Sequence, residues 1–209
     1  MTGEPRRRVI AAIGLLLAAA ALICAYFVIT PRQQSAETAI GAADVAPYLM
    51  DGDVICRMGD RVWSSLIGSL SPGERRFSHL GIVRIRDGGT SVINAECLTQ
   101  GRSESVNETR LPDFLALARK VGVYRANFTD GAALSDKAVE YLGRPFDWDF
   151  DLADESKIYC TELLYAVIMH IAPGYVPETA HPQWAGKPIV LPEAVPNSPG
   201  FDEVVYIAP

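Results

Sequence analysis

The feature that most constrains the fold of this chain is a run of 21 residues without a charge, Val9–Ile29. As a helix it would be roughly 31 Å long, against a hydrocarbon core of about 30 Å, so it predicts one transmembrane helix and not a piece of globular core. Arg6, Arg7 and Arg8 stand directly before it. By the positive-inside rule they hold residues 1–8 in the cytoplasm and send the remainder across, which makes residues 9–29 a signal anchor and the following domain extracytoplasmic. The alternative is secretion after signal cleavage, which calls for a shorter apolar stretch and small residues at a cleavage site. A lipoprotein cysteine at Cys24 is a third option, but Ile23 stands where that signal needs a small residue.

Residues 30–47, rich in Ala, Gln, Ser and Thr, read as a linker, and residues 48–209 as one folded domain. Without Arg6, Arg7, Arg8 and Glu4, the chain's 19 basic and 25 acidic side chains become 16 and 24, a net charge of −8 on the exported part. That balance excludes nucleic acid as a partner. Three cysteines, Cys56, Cys97 and Cys160, fall in a compartment where disulfides form. Cys56 and Cys97, both in strand-like runs, are the natural pair, leaving Cys160 as a thiol.

Val54-Ile55-Cys56 is a short buried strand after the Asp51-Gly52-Asp53 turn. Val62, Leu66 and Leu70 follow at helical spacing. Residues 80–86 alternate strictly, Asp87-Gly88-Gly89 turns the chain, and Thr90–Cys97 returns as the second arm of a hairpin. Further strands are expected at 105–111, 121–126 and 204–207. Short helices are expected from Leu111 to Ala118 and from Ala132 to Leu142. The strongest helix runs from Cys160 to Ile171, closed by Pro173-Gly174. Strands gathered in one antiparallel block, with helices around them, define an α+β fold.

Cys160 thus opens a helix, where unpaired N–H groups and the positive end of the macrodipole favour a thiolate and can stabilise an oxyanion. An inert core cysteine is the competing reading. A base is needed, and the chain has three histidines. His170 lies about 15 Å up the same helix, out of reach. His181 sits in a proline-flanked loop, whereas His79 opens the first hairpin strand and can face a helix start. Glu96, on the neighbouring strand, is the candidate to orient the imidazole. Tyr159 is a candidate oxyanion or substrate contact, or a core ring.

These residues carry a resemblance. Gly52-Asp53-Val54-Ile55, Phe77-Ser78-His79-Leu80-Gly81-Ile82-Val83, Asn94-Ala95-Glu96, Gly143-Arg144-Pro145-Phe146-Asp147 and Tyr159-Cys160-Thr161-Glu162-Leu163 follow one another in that order. The string resembles the circularly permuted papain-like hydrolases, and more narrowly the YiiX/YaeF-like branch of the NlpC-type superfamily, related to lecithin retinol acyltransferase-like proteins. Histidine before cysteine is the permuted order; Thr161 departs from the serine more often found there. The resemblance implies a permuted papain-like fold and a thiol hydrolase of amide or ester bonds, with Cys160 as nucleophile, His79 as base and Glu96 as orienting group. Substrates consistent with it are cell-envelope peptides or lipids, the latter making a lipid acyltransferase or lipase; a catalytically silent envelope-binding module is the reading of another class. No cofactor and no metal is expected: Asp147, Asp149 and Asp151 have the spacing of a calcium loop, but Leu152 replaces its glycine and Ile158 its bidentate glutamate.

Overall fold

Alternation on both arms of the 79–96 hairpin builds the centre of the molecule. The computed structural model describes residues 40–59, 76–97, 104–116, 118–182 and 185–208, which all belong to one compact unit. Six strands form one sheet: β1 (Val54–Gly59), β2 (His79–Arg86), β3 (Gly89–Glu96), β4 (Ser105–Arg110), β5 (Ala118–Ala126) and β6 (Phe201–Ile207). Their order is β4-β3-β2-β1-β5-β6, with every neighbouring pair antiparallel. Strands grouped in this way with helices on the faces are the expected α+β arrangement.

Because side chains alternate across a strand, each face of the sheet has its own core. On one face Cys56, Leu80, Ile82, Ile93 and Ala95 meet α3 (Gly131–Val139) and α4 (Cys160–Ile171). On the other, Ile55, Val83, Val92, Val121 and Val123 are covered by α1 (Ala42–Val45) and α2 (Leu111–Leu115). Helix α4 buries Cys160, Leu163, Leu164, Val167 and Ile168, a spacing that lines one helical face. Each such large apolar side chain stabilises the fold by roughly 1.5–3 kcal/mol.

Several expectations change: helix α2, expected to reach Ala118, stops at Leu115 because Ala118 already opens β5, and β6 begins at Phe201. The linker was expected to reach residue 47, yet Ile40 and Val45 are buried against Leu111, Phe114 and Leu115, so the packed domain begins at Ile40 at the latest. Helix α3 starts one residue early because the Asp130 carboxylate caps the Ala132 N–H, and it ends at Val139, after which the chain tightens into turns closed by i−3 bonds. No disulfide joins Cys56, Cys97 or Cys160. The strand order explains this: β2 lies between β1 and β3, two spacings of about 4.8 Å each, beyond the roughly 7 Å that a disulfide spans. The expected helix around residues 62–70 and the expected membrane segment lie outside the described residues. Among the described residues no helix is long and apolar enough to cross a membrane.

Candidate active site

The hairpin of β2 and β3 is closed at one end and parted at the other. Its ladder runs from Arg86↔Gly89 to Ile82↔Ile93 and stops there, although β2 continues back to His79 and β3 on to Glu96. Strand N–H groups point alternately to the two neighbours. The Val83 N–H donates to Asp53 O ahead of β1, so the Leu80 N–H is directed toward β3, where the ladder has ended. The Cys160 thiol lies on that side, and the N–H groups of Leu80, Cys160 and Thr161 all favour its thiolate.

Cys160 is the first residue of α4, after an extended Tyr159 whose N–H donates to the Glu162 carboxylate at 3.1 Å. The helix start was expected to lower its pKa. Burial does the opposite, pushing the thiol up to about 12, with Cys97 adding to the rise and the three N–H groups opposing it. Only 9% of the residue is exposed. At neutral pH the resting group is therefore a thiol, and its activation requires a base. Burial also pushes the Glu162 carboxyl up to about 8, helped by Asp147, Asp151 and Asp154.

His79 supplies an imidazole one residue from Leu80. Its Nε2 lies 2.9 Å from Asn94 Oδ1. Asn94 is fully buried, and its Nδ2 donates to Val92 O and to Thr109 Oγ1, both at 3.2 Å. The amide is thereby oriented with its oxygen toward the ring, which assigns the proton to Nε2 and leaves the lone pair on Nδ1. Gly81 makes this approach possible, since a Cβ there would lie 2.5 Å from Val92 Cγ1 and 2.9 Å from Asn94 Cβ. The ring rests on Phe114, centroids 5.7 Å apart, and the Arg57 guanidinium lies 4.9 Å over the same phenyl. Burial and the Arg57 cation hold the imidazole well below its usual pKa, against the opposing pull of Glu96 and the Asn94 bond. It is neutral at pH 7 and able to accept a proton. No hydrogen bond joins it to Cys160 among the described residues.

Glu96 was expected to orient the ring. Its carboxylate instead receives Arg57 Nη2 at 2.8 Å, in an ion pair about one-tenth exposed on each side, and it reaches the imidazole as charge. Asn94 makes the hydrogen bond. Sequence reasoning chose the charged residue and passed over the amide two positions earlier on the same face of β3; the i, i+2 parity together with Gly81 opposite was the available signal. Tyr159 packs as a core ring: it is buried, its ring lies 5.1 Å from Phe150, and its hydroxyl accepts the Val190 N–H at 2.9 Å. His170 and Glu162 line a separate hollow beside α4, away from the parted strands. The Asp147 carboxylate turns inward to take the N–H groups of Asp149 and Asp151, capping its own loop. Among the described residues no group of three or more His, Cys, Asp or Glu is placed to hold a metal ion.

The thiol thus opens α4 on one face of the sheet, while the imidazole at the start of β2 rests on Phe114 on the other, and the two approach one another only where the strands part. The family described as permuted papain-like amidase enzyme, YaeF/YiiX, C92 family, matches residues 48–199. The chain belongs to that family and is a cysteine hydrolase of the amidase type. It is similar in fold to a solved structure of the metalloprotein yiiX from Escherichia coli O157:H7, with a TM-score of 0.62 and 22% identity over 77% of this chain and 98% of that one. The comparison with curated proteins finds no match.

Proposed function

We propose that the domain cleaves amide bonds of cell-envelope peptides or related acyl compounds through an acyl-enzyme on Cys160, with His79 as general base and Asn94 holding the ring. The observation that carries this reading is the parted hairpin, where the Leu80 N–H favours the Cys160 thiolate and the adjacent His79 has its tautomer assigned by Asn94. In the first half-reaction Nδ1 takes the thiol proton as Sγ attacks the carbonyl carbon. The oxyanion is stabilised by N–H groups at the start of α4. As the tetrahedral adduct collapses, the imidazolium returns the proton to the leaving amine, and water then attacks the thioester with the same imidazole as base. Glu96 contributes negative charge that steadies the transient imidazolium, while Arg57 limits how far.

What supports a membrane-tethered, extracytoplasmic location is the uncharged segment 9–29 behind Arg6, Arg7 and Arg8. Peptide amides are favoured over lipid esters because the matching family is one of amidases. The test is a panel of muropeptides, synthetic peptide amides and phospholipid esters, with Cys160→Ala as the blank. Cys160-dependent release of an amine from a peptide supports the reading; cleavage confined to lipid esters moves the assignment to a lipase or acyltransferase, and no Cys160-dependent turnover moves it to a binding module.

A further inference from the structure

The proline-rich stretch before the last strand touches both halves of the site. Val190 is held by the two residues that flank the nucleophile: its N–H donates to Tyr159 Oη at 2.9 Å, and its carbonyl accepts Thr161 Oγ1 at 2.7 Å. Three residues on, in the short 3-10 turn Pro192–Ala194, Glu193 Oε1 accepts the consecutive backbone N–H groups of Arg76 and Phe77, at 2.9 and 3.0 Å. Those amides lead directly into Ser78 and His79. Residues 190–193 therefore form a strap with one end on the nucleophile and the other on the approach to the base.

The strap meets a need created by the parted hairpin. Over 79–81, β2 has lost β3 as a ladder partner and keeps only β1 at its side. Ahead of it the chain is pinned by Glu193 and by Ser78, whose N–H reaches Arg57 O at 3.0 Å. Glu193 is only 5% exposed, and burying a carboxylate is costly, so an apolar side chain would suffice if closing the core were its only task. We infer that Glu193 is a positioning residue for His79, and that the 190–193 strap sets the separation of base and nucleophile.

This inference rests on the Cys160–His79 reading, and the experiment separates the two. The probe is p-nitrophenyl acetate, and the readout is the rate of Cys160 acylation in the full-length protein as nitrophenolate release, with Cys160→Ala subtracted. The ratio of wild type to His79→Ala measures what the base contributes. Glu193→Ala is expected to lose most of that ratio, about tenfold to a hundredfold, as an ångström-scale misplacement does. A second substitution, His79→Ala, should then add little. Glu193→Gln keeps an acceptor oxygen in place and should restore the rate to within about threefold of wild type. Thr161→Val, releasing the other end, should lower the rate and fail to multiply with Glu193→Ala. Glu193→Asp, which withdraws the carboxylate by one methylene, serves if Glu193→Ala does not fold, with the same expected loss. Wild-type acylation in Glu193→Ala or Glu193→Asp, or losses that multiply with His79→Ala, would overturn the inference while leaving the couple intact. Equal rates in wild type and His79→Ala would overturn the couple, and this inference with it.

Discussion

The two ends of the β2–β3 hairpin are made from the same strands and do opposite things. At the closed end Asp87 and Gly88, both with positive φ, form the two-residue turn that suits the strand twist, and the ladder runs unbroken from there to Ile82↔Ile93. Arg86 pairs there with Asp51 and with the exposed Asp136. At the open end the ladder is given up, the Leu80 N–H favours the Cys160 thiolate, and the polar groups are buried: Asn94 wholly, Glu96 with Arg57 nearly so. A strand end that withholds its backbone from pairing can aim it at a reacting atom. The closed end then has to hold the register that makes this possible.

Substitutions at the two ends should accordingly separate activity from stability. The largest effect is expected for Cys160→Ala, which should cut turnover by about a thousandfold or more while leaving the thermal midpoint within a few degrees of wild type, checked by steady-state kinetics beside calorimetry. His79→Ala should follow, with a loss of about a hundredfold to ten-thousandfold in kcat/KM. Asn94→Ala should lose about tenfold to a hundredfold in kcat, and it should also destabilise by about 1–3 kcal/mol because Thr109 and the ring lose a buried partner; denaturant unfolding measures the second part. Glu96→Gln should be milder and directional. Removing a negative charge that raises the imidazole pKa should move the acid limb of the kcat/KM profile to lower pH. Smallest of all for activity is Gly88→Ala at the closed end, where φ is +74°: turnover should be unchanged and stability lower by about 1–2 kcal/mol. Loss of activity at Gly88 comparable to that at Asn94 would erase the distinction between the ends.

The hairpin, α4 and the order of histidine before cysteine were legible in the sequence because each follows from a local period or a local breaker. The positions of Cys160 at a helix start and of His79 at a strand start were legible for the same reason. What was not legible depended on how strands are ordered and where a ladder stops. Pairing Cys56 with Cys97 looked natural along the chain and is excluded by β2 lying between them. The expected acidification of Cys160 weighed the dipole and the N–H groups of the helix start but not burial, and in the folded chain desolvation outweighs them. Glu193 lies 114 positions beyond His79 in a segment without periodicity, and only tertiary contact reveals what it holds.

In the proposed mechanism a neutral thiol and a neutral imidazole act together across the parted strands. The measurement that tests this most directly is the pH dependence of Cys160 acylation by p-nitrophenyl acetate in wild type and in His79→Ala. A buried imidazole held below its usual ~6.5 should give wild type an acid limb below that pH and a plateau above it. In His79→Ala the plateau should vanish, leaving a slow rate that climbs about tenfold per pH unit as thiolate forms. Superimposable profiles in the two proteins would contradict the couple.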